Sequence, residues 1–327
     1  MRVLSGIQPS GESLHLGNYF GAIRQQLALA AEHEALLFIA DYHSMTSVRD
    51  GAARREFTRA VALDYLACGL DPERTLLFRQ SDVPEVTELA WLLSTVTPMG
   101  LLERAHAYKD RIAQGQSADH GLFAYPVLQA ADILLYRSDL VPVGQDQKQH
   151  IEMARDIAQR FNHTYGEELL VVPEPFIPEE VAVVPGVDGR KMSKSYGNAI
   201  AMFAPAKEIK KAVMGIVTDS TPVEDPKDTG SALFQLWTLF ATAEEKQELF
   251  ARARRGSLGY GEVKKDLLAR VLAYFEPMRE KRESLAAHPE RVEAILADSG
   301  RRARAIGRPV LDACRAAAGL GAAPARA

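Results

Sequence analysis

Lys191 and Lys194 stand three residues apart in the run Lys191-Met192-Ser193-Lys194-Ser195, among small hydroxyl side chains. Gly189 and Gly197 flank the run, and glycine leaves a loop free to move. An ammonium acts on phosphate as a compact point charge. Two of them on a mobile loop suit a reaction in which negative charge builds on a polyphosphate and must be neutralised only then. Composition alone does not separate that chemistry from a solvated turn with two surface lysines.

Three other segments carry chemical groups in suggestive places. His15-Leu16-Gly17-Asn18 follows Gly6-Ile7-Gln8-Pro9-Ser10-Gly11 and opens a helix. Gly17 permits close approach of a phosphate or an adenine, and the helix start offers free N–H groups. His15 and Asn18 can donate to phosphate or ribose oxygens. There is no G-x-G-x-x-G, and a turn histidine that caps a helix would look the same. Asp132 lies in the apolar helical run 122–136, where a carboxylate is costly without a partner. An ionised Asp only accepts hydrogen bonds and an indole N–H only donates, so the two match. A pairing with Arg137, or exposure to water, is the alternative. In the third segment, Val143-Gly144-Gln145-Asp146-Gln147 follows a strand and opens a helix. Asp146 there is placed to accept from ribose hydroxyls or to cap the helix, and both can hold at once.

These segments need a frame, and the first half supplies one. Apolar strands are expected at 2–7, 35–41, 75–80 and 139–143. Between them, helical spacing is expected over 17–32, 52–68, 85–96, 122–136 and 145–161. Such alternation argues for an α/β fold with a parallel sheet covered on both faces, and ligands on such sheets bind at the carboxyl ends of the strands. After about Pro185 the pattern is helical only, over 206–217, 231–239, 244–253, 261–282, 289–297 and 302–318. The expected domains are therefore 1–185 and 186–327.

Charge follows the same division. Residues 1–183 carry 15 Lys+Arg against 25 Asp+Glu, and residues 184–327 carry 24 against 18, within a net −4 for 327 residues. The basic half would tolerate a polyanion. The clusters Arg252–Arg255, Lys264–Lys265, Arg279–Arg282 and Arg301–Arg304 read first as solvated helix faces. No apolar run approaches the roughly 18 residues that span a bilayer, and the start lacks a signal-peptide core. A soluble cytoplasmic protein is expected, with no membrane association. Cys68 and Cys314 lie far apart with no metal-ligand spacing, so no metal site is expected. Trp91 and Trp237 read as packing anchors.

A His-x-Gly-(His/Asn) turn after the first strand, together with a complete Lys-Met-Ser-Lys-Ser, resembles the class I aminoacyl-tRNA synthetases. Asn18 in place of the last His also occurs in their tryptophan-specific branch. Gly6–Gly11, Asp41–His43, Tyr125–Pro126, Ala130–Leu134, Val141–His150 and Thr218–Ser220 resemble that branch too. The resemblance implies a Rossmann-like catalytic domain with a smaller helical domain that reads the tRNA anticodon, its last helices packing back on the first domain. It implies ATP-dependent activation of L-tryptophan, transfer to tRNA(Trp), Mg²⁺ held mainly by the ATP phosphates, and a homodimer. For ATP it implies Gln8, Pro9, Ser10, His15, Gly17, Asn18, Gly144, Gln145 and Asp146, with Val183 and Val184 flanking the adenine. Lys191 to Ser195 would meet the phosphates, and Lys109 and Arg111 the pyrophosphate, although relatives often carry Lys at the second of these. For tryptophan it implies Leu4, His43, Tyr125, Gln129, Asp132, Val141, Val143 and Gln147. The rivals are a tyrosine-specific synthetase, a nucleotidylyltransferase with a similar turn, and a non-catalytic tRNA-binding paralogue.

Overall fold

Five strands form one sheet, each neighbour pair parallel: β1 (Arg2–Ile7), β2 (Glu34–Ile39), β3 (Leu76–Arg79), β4 (Leu140–Pro142) and β5 (Glu174–Phe176). Their order is β3-β2-β1-β4-β5. The computed structural model describes residues 1–11, 14–142, 148–166, 168–176 and 183–321. The expected α/β architecture and parallel sheet are present. The chain moves outward from β1 to β2 and β3, then returns to place β4 on the other side of β1. That reversal makes a crevice at the carboxyl ends of β1 and β4.

Strand residues alternate between two cores, as a period of two requires. Leu37, Ile39 and Leu77 join one buried cluster with Val61, Tyr65 and Leu66 of the helix Gly51–Ala67. Leu36, Phe38, Leu76 and Phe78 join a second with residues of the helices Glu85–Ser94, His120–Leu135 and Lys148–Tyr165. Both faces are apolar because both are covered, so the strands read as continuous hydrophobic runs. The first cluster continues into the helical second half through Phe234, Leu267, Val271 and Phe275. A π-helical turn at Tyr19–Ile23 interrupts the helix that begins at Leu16. Tyr19 and Phe20 in that turn both meet Tyr274 and Phe275 edge-on or tilted.

Three expectations need correction. The stretches 289–297 and 302–318 form one helix, Pro289–Ala317, not two. Ser299 and Gly300, in the gap between the two expected ranges, are both buried in the helix. A Cβ on Gly300 would stand 2.9 Å from the Asp82 Cβ, and one on Gly307 2.8 Å from Leu135. The small residues let the helix lie close on the first half. Arg304 is not simply solvated, since it holds the buried Glu85 with three contacts of 2.8–3.0 Å. Trp91 is 71% exposed on the wall of a cleft, whereas Trp237 is buried and donates to Asp266 at 2.6 Å. Strand β5 went unforeseen because it is three residues long and contains a proline, which an edge strand tolerates. Among the described residues, no helix is long and apolar enough to cross a membrane.

Candidate active site

A cavity of about 510 Å³ opens at the crevice between β1 and β4. Strand ends supply Leu4, Gly6, Phe38 and Val141, and the helix His120–Leu135 supplies Tyr125, Gln129 and Asp132. Gln8, His43 and His150 complete the polar part of the wall. A larger cleft, of about 900 Å³, lies among Asp41, Arg79, Asp82 and Glu293, and shares none of these residues. Its Arg79 already pairs with Asp82 and Glu293 at 2.6–2.8 Å, so the cavity at the strand ends is the better candidate.

Asp132 is 1% exposed. Among the described residues its side-chain partners are one amide, that of Gln80, and one histidine, His43. Gln80 Nε2 donates to Oδ1 at 2.8 Å and to Oδ2 at 2.9 Å, and His43 Nε2 lies 2.9 Å from Oδ2. Arg137 is not its partner. Burial pushes the Asp132 carboxyl above its usual range, and the hydrogen bonds from His43 and Gln80 pull it back. Gln80 in turn is anchored by its own oxygen, which accepts from the backbone N–H groups of Tyr42 at 3.1 Å and His43 at 3.4 Å. It therefore ties the carboxylate to the segment that carries His43. Gln80 was missed in the sequence, although it ends the third expected strand on the ligand-binding side of the sheet. Two turns earlier on the same helix, the Tyr125 hydroxyl and His150 Nε2 share a hydrogen bond of 2.7 Å.

Replacing Gln80 with Met keeps the volume but removes both donors. If the cavity binds tryptophan through Asp132, its KM in ATP–pyrophosphate exchange should rise about tenfold. An unchanged KM would remove Gln80 from the account.

The two signature segments touch. His15 and Ala201 form an antiparallel bridge, with Leu16 N donating to Ile200 O at 3.0 Å and Met202 N to Leu14 O at 3.1 Å. Gly17 N approaches Met192 Sδ at 3.3 Å. A Cβ on Gly17 would stand 2.9 Å from His15 Nδ1 and 3.2 Å from Met192, so the turn closes only without one. A Cβ on Gly11 would meet Lys194 Nζ at 2.8 Å, which places this ammonium over the first loop. Lys191 and Lys194 are both exposed. Buried Asn198 shapes their loop: its oxygen accepts from Ser193 N at 2.8 Å, and its amide donates to Lys191 O and Asp188.

His15 caps the helix at Leu16, with its Nδ1 accepting from Asn18 N at 3.3 Å and its own N–H donating to Asn18 Oδ1 at 3.0 Å. Capping and ligand contact are compatible, because an acceptor Nδ1 leaves the proton of a neutral ring on Nε2. Burial first, and the Lys194 ammonium second, push the His15 pKa down from 6.5 to about 4. Above pH 6.5 the ring is neutral whether the chain is folded or not, and His15 adds no pH dependence. Below it the unfolded chain takes up a proton that the folded one refuses, so stability falls as pH drops from 6.5 towards 4. His15→Asn should flatten that part of a pH series of urea midpoints. An unaltered slope would contradict a neutral buried ring.

Other expected residues divide. Val184 is buried in the first core cluster, while Val183 is 63% exposed. Lys109 and Arg111 lie on the helix His106–Ala113. Arg111 donates to Gln116 at 2.7 Å and lines the neighbouring cleft beside Trp91, not the Asp132 cavity. Val143, Gly144, Gln145, Asp146 and Gln147 lie outside the described residues. Among the described residues, no group of three His, Cys, Asp or Glu side chains stands close enough to hold a metal ion.

The family model for tRNA synthetases class I (W and Y) matches residues 1–276. The chain is 52% identical over 305 residues to a tryptophan–tRNA ligase of Fusobacterium nucleatum, covering 93% of this chain and 94% of that one. It is 53% identical over 321 residues to the tryptophan–tRNA ligase of Rhodopirellula baltica, covering 98% and 100%. The tryptophanyl-tRNA synthetase of Campylobacter jejuni, solved with ADP and tryptophan, has a similar structure. The TM-score is 0.92 at 48% identity, over 98% of this chain and 100% of that one.

Proposed function

We propose, for a chain that belongs to the tRNA synthetases class I (W and Y), that the cavity at the β1–β4 crevice binds L-tryptophan beside ATP. The activity is that of a tryptophan–tRNA ligase, an aminoacyl-tRNA synthetase. A carboxylate oxygen of the amino acid attacks the α-phosphorus of ATP. The bond to the bridging oxygen breaks, and pyrophosphate leaves with its electron pair. The terminal ribose hydroxyl of tRNA(Trp) then attacks the carbonyl carbon of the adenylate, releasing AMP and a proton.

The observation that carries the specificity is the buried Asp132 carboxylate, held by Gln80 and His43 at the wall of an apolar cavity. The indole N–H donates to it, Leu4, Val141, Val143 and Gln129 enclose the ring, and Tyr125 meets the amino group. Gln147 meets the amino-acid head group. Gln8, Pro9, Ser10, Gly17 and Asn18 border the ATP phosphates, and His15 offers them Nε2–H. Gly144, Gln145 and Asp146 take the ribose, and Val183 and Val184 the adenine. Lys191 and Lys194 act on the departing pyrophosphate, with Met192, Ser193 and Ser195 shaping their approach and Lys109 and Arg111 as further cations. The protein's work is positioning and charge stabilisation, so no general base is assigned. Mg²⁺ enters with ATP, and no residue of this chain is assigned to it.

The same proposal takes residues 1–185 as the catalytic domain and 186–327 as the loop and tRNA-binding domain, in a cytoplasmic homodimer. A charging assay tests the activity. Labelled tryptophan should be esterified to a tRNA(Trp) transcript in the presence of ATP. Charging of tRNA(Tyr) with tyrosine instead would move the chain to the other branch, and no charging would favour a non-catalytic paralogue.

A further inference from the structure

Asp64 is fully buried, at 0% exposure, on the helix Gly51–Ala67. Its two oxygens point to different parts of the molecule. Oδ2 accepts from Leu14 N at 3.2 Å, one residue before the His15 turn. Oδ1 accepts from Arg282 Nε at 2.6 Å, near the end of the helix Tyr260–Ala286 in the helical half. The same guanidinium lies 5.3 Å from the centre of the Phe203 ring. Phe203 follows Met202, whose N–H donates to Leu14 O. Through Asp64 on one side and Phe203 on the other, one arginine thus supports both sides of the bridge that joins the His15 turn to residues 200–202, just beyond the lysine loop. Burial pushes the Asp64 carboxyl above its usual range, and Arg282 first, then Leu14 N–H and the more distant Lys194, pull it back.

A buried ion pair is a poor device for stability alone, because desolvation offsets much of the Coulombic gain. Its geometry, by contrast, is well defined. Carboxylate, guanidinium and backbone amide fix where Leu14 sits, and Leu14 leads directly into His15. Solvated arginines, as expected for the 279–282 cluster, would do none of this. Arg282 is only 23% exposed in the pair.

We propose that Asp64 and Arg282 are positioning residues for amino-acid activation: they lock the helical half onto the Leu14–Asn18 turn, so that the turn and Lys194 meet ATP together. This rests on the activity proposed above. It predicts that Arg282 matters before tRNA is bound, unlike an arginine that contacts the tRNA backbone.

The experiment is tryptophan-dependent ATP–pyrophosphate exchange without tRNA, with urea midpoints measured on the same proteins. Arg282→Met and Asp64→Asn should each lower kcat by at least about tenfold, with KM for tryptophan changed less than about twofold. Arg282→Lys should recover part of the loss, and combining Asp64→Asn with Arg282→Met should cost little more than the worse single change. If Arg282→Met fails to fold, the Arg282→Lys and Asp64→Asn pair still reports the kcat effect. Lowered midpoints with parental kcat per folded enzyme would reduce the pair to scaffolding and overturn the proposal. Losses appearing only in tRNA charging would overturn it in favour of tRNA contact. A parent protein with no exchange at all would sink the activity itself.

Discussion

Lys194→Ala should slow tryptophan-dependent ATP–pyrophosphate exchange by about 10²–10³-fold, comparable to deleting one preorganised group that meets developing charge. Tryptophan binding should barely change. The ammonium lies over Gly11, beside the turn assigned to the phosphates and away from the walls of the Asp132 cavity. Its loop is held by the side chain of Asn198 and turned at Gly197, with φ of 64°. Removing the charge should therefore leave the loop standing. The loss should fall on kcat, because the negative charge that Lys194 meets grows only as the bond to pyrophosphate breaks. Equal losses in kcat and in tryptophan affinity would contradict a group acting mainly in the transition state.

Asp132→Asn carries the other large effect. The substitution keeps the shape and exchanges one acceptor oxygen for an NH₂ donor. Gln80 Nε2 and His43 Nε2 both face those oxygens at 2.8–2.9 Å, so one donor now confronts another. The indole N–H meets the same conflict. Sites that hydrogen-bond a substrate donor can reject an analogue without it by about 10⁴–10⁵-fold, and much of that margin depends on the acceptor. The ratio of kcat/KM for tryptophan over phenylalanine should contract by about 10²-fold or more. A variant that separates the two as well as its parent does would remove Asp132 as the indole acceptor.

What could be read beforehand depended on whether the signal was local. β1 and the helix Gly51–Ala67 announced themselves by periodicity, and the two signature segments by spacing. Asp132 stood out because a lone acid in an apolar helix demands a partner. Which partner was not legible: Gln80 lies on another strand, and only the fold brings its amide to the carboxylate. Arg282 was hidden for the same reason, since an arginine cluster on a helix looks solvated until the buried acid opposite it is seen. The helix Pro289–Ala317 misled through its composition. Gly300 lacks a side chain where Asp82 lies against the helix, a tertiary cause that mimics a local break. β5 is too short to leave a periodic trace. The resemblance implies Arg111 as a contact to pyrophosphate; its hydrogen bond to Gln116 and its place on the neighbouring cleft left no trace in the sequence.

The central claim is that this cavity activates tryptophan, and amino-acid-dependent exchange of pyrophosphate with ATP tests it most directly. Tryptophan should drive rapid exchange, with tyrosine and phenylalanine hardly above background. Exchange driven by tyrosine and not by tryptophan would contradict the account of Asp132 and its helix. Exchange with none of the three would contradict activation at this site altogether.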